Sequence, residues 1–218
     1  MPDGSLPELI RITVPEQLDH AFWEARYRAH STTPHPQPNP HLTVEAANLT
    51  PGRALDAGCG EGAEAVWLAA HGWRVTAVDF ATAALDHARE LADLRGPEIS
   101  GRIDWLAADL TEWTPEENGY DLVCSHYAHP VMGAETLLRR LAPAVAPGGT
   151  LLIVGHHPSD AHSAAHATGV HATAEDLAAA LEPNRWEITV AETRSRTMTH
   201  GSHQIELHDT VLVARKQR

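Results

Sequence analysis

The residues Asp56-Ala57-Gly58-Cys59-Gly60-Glu61-Gly62 follow a short apolar stretch and lead into a helix-like run. Glycine at Gly58, Gly60 and Gly62 lets the main chain turn sharply and approach a ligand closely. The start of the following helix offers unpaired N–H groups to an anion. Asp56, two residues before the first glycine, can accept from a cationic group, directly or through water. A ligand carrying both an ammonium and a carboxylate matches that pair. Two more acids end apolar stretches. Asp79 closes RVTAVDF, placed to hold two ribose hydroxyls, and Asp109 closes LAADL, placed to accept from an adenine amino group. The loop alone also fits the GxGxxA dinucleotide fingerprint. A nicotinamide cofactor therefore stays open, though it leaves Asp56 and Asp109 without a role.

A second set of groups could move protons. His126 and His129 follow YDLVCS, and His156 and His157 follow TLLIVG. Neutral imidazole accepts a proton near pH 7. His126 and His156, next to strand ends, are the candidate bases, and Tyr127 could orient a substrate. The same imidazoles, with His162, His166 and His171, invite a metal reading. Zinc wants three or four ligands in tetrahedral order, and neither HExxH nor Cys–His finger spacing occurs, so no metal site is expected. Cys59 and Cys124 read as buried small residues.

The elements that must position these groups follow from periodicity. Residues 15–29 read as a helix, with Trp23 and Tyr27 four apart on one face. HSTTPHPQPNPH cannot be a helix interior or a central strand and reads as a loop or lid. A short helix follows at 41–48. From residue 53, RALDA, WRVTAVDF, RIDWLAADL, YDLVCS and TLLIVG read as strands. GAEAVWLAAH, TAALDHARELADL and AETLLRRLAPAV read as the helices between them, the first closed by Gly72. Such alternation gives a parallel sheet covered on both faces. After a helix in TAEDLAAAL, the stretches WEITVAETRS and HQIELHDTVLVAR are joined by a turn through Gly201, so they pair antiparallel. The expectation is an α/β, Rossmann-like, doubly wound sheet of seven strands, mostly parallel with an antiparallel C-terminal hairpin strand. Residues 1–52 would form a helical cap or lid, and 53–218 the core, within one structural domain.

Composition bounds the partners. The 218 residues carry a formal net charge of −13 and no run of Lys or Arg, so nucleic acid and anionic membrane are poor partners. The single lysine, Lys216, excludes a P-loop and internal Schiff-base chemistry. Two cysteines without CxxC spacing fit a reducing compartment, and the N-terminus lacks an apolar core of signal-peptide length. No stretch approaches the ~18 to 20 apolar residues of a membrane span. A cytoplasmic protein is expected, either monomer or homodimer.

Taken in order, ALDAGCGEG, VTAVDF, LAADL, YDLVCS and LAPGGTLLIVG resemble the successive motifs of class I S-adenosylmethionine-dependent methyltransferases, over roughly residues 20–215. FWEARY and VGHH look closest to small bacterial methyltransferases, including those linked to tellurite resistance. The resemblance implies methylation, with S-adenosylhomocysteine as product. It places Ala57, Gly58, Gly60 and Gly62 under the methionine part of the cofactor, Asp79 at the ribose and Phe80 near the adenine. Ala108, Asp109 and Leu110 would frame the adenine edge, Ser125 would lie beside the reactive end, and Trp23 and Tyr27 would close over it. The acceptor is then a small molecule methylated on O, N or S. An NAD(P)-dependent oxidoreductase and a non-catalytic S-adenosylmethionine-binding module are the alternatives.

Overall fold

Five apolar stretches pair side by side as parallel strands: β1 (Arg53–Ala57), β2 (Arg74–Asp79), β3 (Ile103–Ala107), β4 (Tyr120–His126) and β5 (Val145–His156). The computed structural model describes residues 20–29, 36–128, 132–160, 171–200 and 203–218, with backbone alone at 198–200 and 203–205. β6 (Trp186–His200) and β7 (His203–Lys216) make the expected hairpin, and β7 enters antiparallel beside β5. The strand order is β3-β2-β1-β4-β5-β7-β6. The chain winds outward from β1 to β3 and then returns to start again at β4. The order thus reverses between β1 and β4, the point at which open α/β sheets bind ligands beyond their carboxyl ends.

The helices are α1 (His20–Ala29), α2 (Pro40–Glu45), α3 (Ala63–Ala70), α4 (Thr82–Leu94), α5 (Pro97–Ser100), α6 (Ala134–Leu141) and α7 (Ala174–Ala179). They cover both sheet faces. On one, Leu42 and Ala46 at α2 join Leu68, Leu85 and Leu91 over Ala54 and Cys124. On the other, Leu137, Leu138, Leu141, Leu177 and Trp186 pack over Leu55 and Val123. Neighbours such as Ala54 and Leu55 serve opposite layers because strand side chains alternate. Helix α4 buries Ala84, Leu85, Ala88, Leu91 and Ala92, the face its spacing dictates.

Several boundaries differ from the sequence reading. β3 stops at Ala107, so Ala108, Asp109 and Leu110 lie beyond it. There the Asp109 carboxylate accepts from the Thr111 amide at 2.7 Å and ends the strand in a tight turn. α6 ends at Leu141, because Pro143 has no N–H to continue the ladder and a 3₁₀ turn takes over at Ala142–Ala144. β5 absorbs the Pro147-Gly148-Gly149 stretch. α5, not anticipated, opens on Pro97 after Gly96 at φ +99°. Asn39 caps α2, accepting from the His41 amide at 2.8 Å. Residues 15–19 of the first expected helix, 30–35 of the Pro/His-rich stretch, and His129, His162, His166 and Gly201 lie outside the described residues. Lys216 is committed to structure, donating to Val145 O at 2.6 Å and Asn118 Oδ1 at 2.8 Å. Among the described residues no helix is long and apolar enough to cross a membrane.

Candidate active site

Beyond Ala57 the chain turns through Gly58, Gly60 and Gly62 at φ +78°, +50° and +78°. An L side chain in this region costs about 1–2 kcal/mol, and two of the positions also lack room. A Cβ on Gly58 would meet the Ala128 methyl at 2.9 Å. One on Gly62 would meet the Trp105 ring at 2.7 Å and the Ala88 methyl at 2.8 Å. Gly58 therefore keeps the loop bare where it faces the end of β4, and Gly62 seats α3 against α4 and β3. The Gly58 and Cys59 amides donate to Val78 O at 2.8 and 3.0 Å, tying the loop to the end of β2.

Asp79 sits at that strand end, only 8% exposed. Its Oδ2 accepts from the Gly60 amide and its Oδ1 from the Ala81 amide, both at 2.9 Å. Burial pushes the carboxyl above its ordinary value, while the amides of Ala81, Gly60 and Phe80 pull it back. Each oxygen retains a second lone pair for a ligand hydroxyl. Asp79 thus holds the glycine loop and remains available to a diol.

The N-terminal helix lies over this end. Trp23 and Tyr27 stack at 5.9 Å, and the Tyr27 hydroxyl stands 3.1 Å from where a Gly60 Cβ would be. Glu24 fixes the helix in place, accepting from the Ala83 amide (3.2 Å), the Thr82 hydroxyl (3.0 Å) and Arg28 (2.8 Å). It supplies the side-chain cap that Ala81 cannot give α4. Burial opposes its ionisation, yet these partners hold the carboxyl below its ordinary value. His20 reaches Phe80 O at 3.1 Å.

Asp56 lies behind the loop, 1% exposed, and does not line the crevice. Among the described residues its Oδ2 has no hydrogen-bond partner. Burial, then Glu64 and Asp79, push its carboxyl well above the ordinary range. The sequence allows contact with a cationic ligand directly or through water; burial behind the loop leaves Asp56 no direct contact from the crevice. His126, 8% exposed, lines the crevice, and neither of its ring nitrogens has a hydrogen-bond partner among the described residues. Burial, reinforced by His41, drops it to about 3.

The opposite wall is built on Asp209, fully buried on β7. Its Oδ2 accepts from Arg196 Nε at 2.6 Å, the Tyr127 hydroxyl at 2.8 Å and His41 Nε2 at 3.1 Å. Burial works against the charge, but these three bonds hold the carboxyl below its ordinary value. Tyr127 is a non-glycine residue at φ +49°, a conformation of order 1–3 kcal/mol. The Asp209 bond and the His156 ring 4.6 Å away keep it there. His156 Nδ1 lies 3.9 Å from carboxylate oxygens of both Asp160 and Asp209. Burial lowers its value, and the two acids act against that shift.

A single crevice of about 890 Å³ receives the loop and both walls. It is lined by Trp23, Tyr27, Gly58, Gly60, Gly62, Asp79, Phe80, Asp109, Leu110, His126 and His156 among the residues picked from sequence. Ser125 departs from expectation. Its hydroxyl donates to Ala57 O at 2.8 Å, and its side chain faces a small cavity beside Leu137 and Leu177. Alternation along β4 turns Cys124 and His126 to one face and Ser125 to the other. Ala57 and Ala108 pack with the core rather than the crevice. The sequence reading missed Glu24, Asn39, His41, Glu64, Arg196 and Asp209. Asp209, an acid inside the apolar alternation of HDTVLVA, was the one legible signal among them.

Comparison with known proteins agrees with this geometry. Residues 54–149 match the family described as methyltransferase domain. Ribosomal RNA small subunit methyltransferase C of Alcanivorax borkumensis is 35% identical over 120 residues, 52% of this chain and 35% of that protein. The match spans less than half the length of the curated relatives. A solved structure concerning conversion of a disulfide bond into a thioacetal group during echinomycin biosynthesis aligns with TM-score 0.68 and 22% identity, over 91% of this chain and 92% of that one. TehB from Haemophilus influenzae aligns with TM-score 0.65 and 16% identity, over 91% and 67%. At those identities the likeness is one of fold. The antiparallel β7 inserted between β5 and β6 departs from the 3-2-1-4-5-6 order of nicotinamide-binding sheets. Residues 54–149 match the methyltransferase-domain family, and the chain shares the seven-stranded fold of solved S-adenosylmethionine-dependent methyltransferases.

Proposed function

We propose that this chain methylates an O, N or S atom of a small molecule, using S-adenosylmethionine. The observation that carries the reading is one crevice with two unlike walls. The glycine loop, Asp79 and the α1 aromatics form one, and His126, Tyr127, His156 and Arg196 the other. The residues fit the cofactor on two counts. The loop turns through Gly58 and Gly60 without side chains, and Asp79 keeps lone pairs for a diol. When bound, S-adenosylmethionine supplies a methyl group on a sulfonium, ready for in-line displacement.

The chain's own work is then to align, cover and deprotonate. Asp79 holds the ribose hydroxyls, with Phe80, Asp109 and Leu110 about the adenine. Trp23 and Tyr27, latched by Glu24, act as a lid that shields the crevice from water. Of the two candidate bases His156 is the better: burial lowers both, but at His156 the carboxylates of Asp209 and Asp160 act against that shift. His126, at about 3, holds a proton too weakly. Tyr127 and Arg196, oriented by Asp209, position the acceptor.

A volume of about 890 Å³ suits a cofactor with a compact acceptor. The net charge of −13 argues against RNA, although one relative carries that name. Two unbonded, buried cysteines fit the cytoplasm as its location. The test is calorimetry with S-adenosylhomocysteine and NAD(P), followed by turnover of S-adenosylmethionine across a panel of small hydroxyl, amine and thiol acceptors. Tighter binding of S-adenosylhomocysteine and turnover of one acceptor class support the reading. Preference for a nicotinamide nucleotide overturns it. His156→Ala should lower kcat on the order of 10²- to 10⁴-fold with cofactor affinity unchanged.

A further inference from the structure

Asp56 and Cys124 are direct partners across the β1–β4 pairing, so their side chains leave the sheet side by side. His126, two residues beyond Cys124, adds a third group to that same face. One ligand atom from each, a carboxylate oxygen, a thiol sulfur and a ring nitrogen, lies within 4.8 Å of the others. Asp56 is 1% exposed, Cys124 0% and His126 8%. Polar groups this deeply buried ordinarily have partners. Yet among the described residues Asp56 Oδ2 and both His126 ring nitrogens have none, and the Cys124 thiol reaches only Leu55 O at 3.5 Å and Asp56 Oδ1 at 3.9 Å.

From this juxtaposition we infer that Asp56, Cys124 and His126 form a site for a soft divalent cation of the zinc type. Carboxylate, thiolate and imidazole are the ligand classes zinc takes. Three protein ligands with a fourth position open to a crevice is the arrangement of an exchangeable rather than a structural site. The opening here is the crevice that His126 lines. Tetrahedral zinc sets its donor atoms about 3.4–3.8 Å apart. The three donor atoms, within 4.8 Å of one another, therefore need to draw in by roughly 1–1.4 Å at most. Bound metal would satisfy the orphaned Asp56 oxygen and a His126 nitrogen together, replacing the thiol proton of Cys124. Sequence spacing could not show this site, because its ligands come from two strands 68 positions apart and meet only through the sheet register.

Cobalt(II) reads the site directly, independent of any catalytic activity or of the cofactor's identity. Metal-free full-length protein titrated with cobalt should develop, at one equivalent, a thiolate-to-cobalt charge-transfer band and the visible bands of a tetrahedral ion. Zinc should bleach both. Cys124→Ser and His126→Gln should each abolish the charge-transfer band, and Cys59→Ser should keep it. No such band in the wild type, or its survival in Cys124→Ser, overturns the inference. The His-rich segments can give cobalt nitrogen ligands but no thiolate, so binding without the band counts as the same negative result. Should Cys124→Ser fail to fold, X-ray absorption at the zinc edge of the wild type decides. One sulfur with nitrogen and oxygen supports the site, and a shell lacking sulfur refutes it.

Discussion

Replacing Asp79 by Asn tests the cofactor reading at the residue with two duties. The carboxylate holds Gly60 and Ala81 by amide bonds of 2.9 Å each, and in the proposal it also takes the ribose hydroxyls. Asparagine keeps the shape and one carbonyl oxygen, but its NH₂ must face one of the two amides, donor against donor. One buried amide then lacks a partner, at about 1–3 kcal/mol. For a domain of this size that lowers the Tm by roughly 2–4 °C per kcal/mol. Binding changes by a separate amount. Hydrogen bonds to a charged acceptor contribute about 1.5–3 kcal/mol, so the Kd for S-adenosylhomocysteine should rise about 10- to 150-fold. Calorimetry well below the variant's Tm separates the two effects. A 2′-deoxy analogue sharpens the test, because it should bind the wild type more weakly but lose little further affinity in Asp79→Asn. Unchanged affinity with an intact circular dichroism spectrum refutes the ribose role. Equal losses for both ligands would show that Asp79 acts only by holding the loop.

Gly62→Ala places a methyl against Trp105 and Ala88 and forces an L residue to φ +78°. It should cost roughly 2–5 kcal/mol by urea unfolding. Gly96→Ala, at φ +99° with nothing within 4 Å, should cost only the backbone share, and equal costs would refute the packing account. Glu24→Ala removes the α4 cap at about 0.5–2 kcal/mol and should speed hydrogen exchange in His20–Ala29; unaltered exchange there argues against the latch. Asp209→Asn should destabilise by roughly 3–5 kcal/mol at neutral pH, since the buried Arg196 pair loses its charge and Tyr127 and His41 their charged acceptor. The Asp209 carboxyl lies below its unfolded value of about 3.9. Its contribution is therefore fully present above that value and lost as pH falls through the folded one, so wild type and variant should converge in acid. Asp56, Glu64 and Asp79, raised by burial, act in the reverse sense and cancel between the two proteins. A stability gap independent of pH from 7 to 3 would refute the assignment.

The sequence by itself determined the strand–helix alternation, the glycine loop and Asp79 at the end of β2. These are local matters. Periodicity, the need for positive φ and the position of a residue at a strand end are set within a dozen neighbours. It also determined that the final strands pair antiparallel, because a short turn permits nothing else. Tertiary structure decided the rest. Whether Ser125 or His126 faces the crevice depends on the face that β4 presents, and a one-residue difference exchanges them. Asp56 was legible as an acid at a strand end, but its burial behind the loop followed only from α3 and Cys124 closing around it. The wall of Asp209, Tyr127, His41 and Arg196 spans as many as 168 positions of sequence. Its members meet because β7 inserts beside β5 while α2 packs onto the same face. No local pattern encodes such a meeting, since the free energy that selects it comes from burying the whole sheet at once.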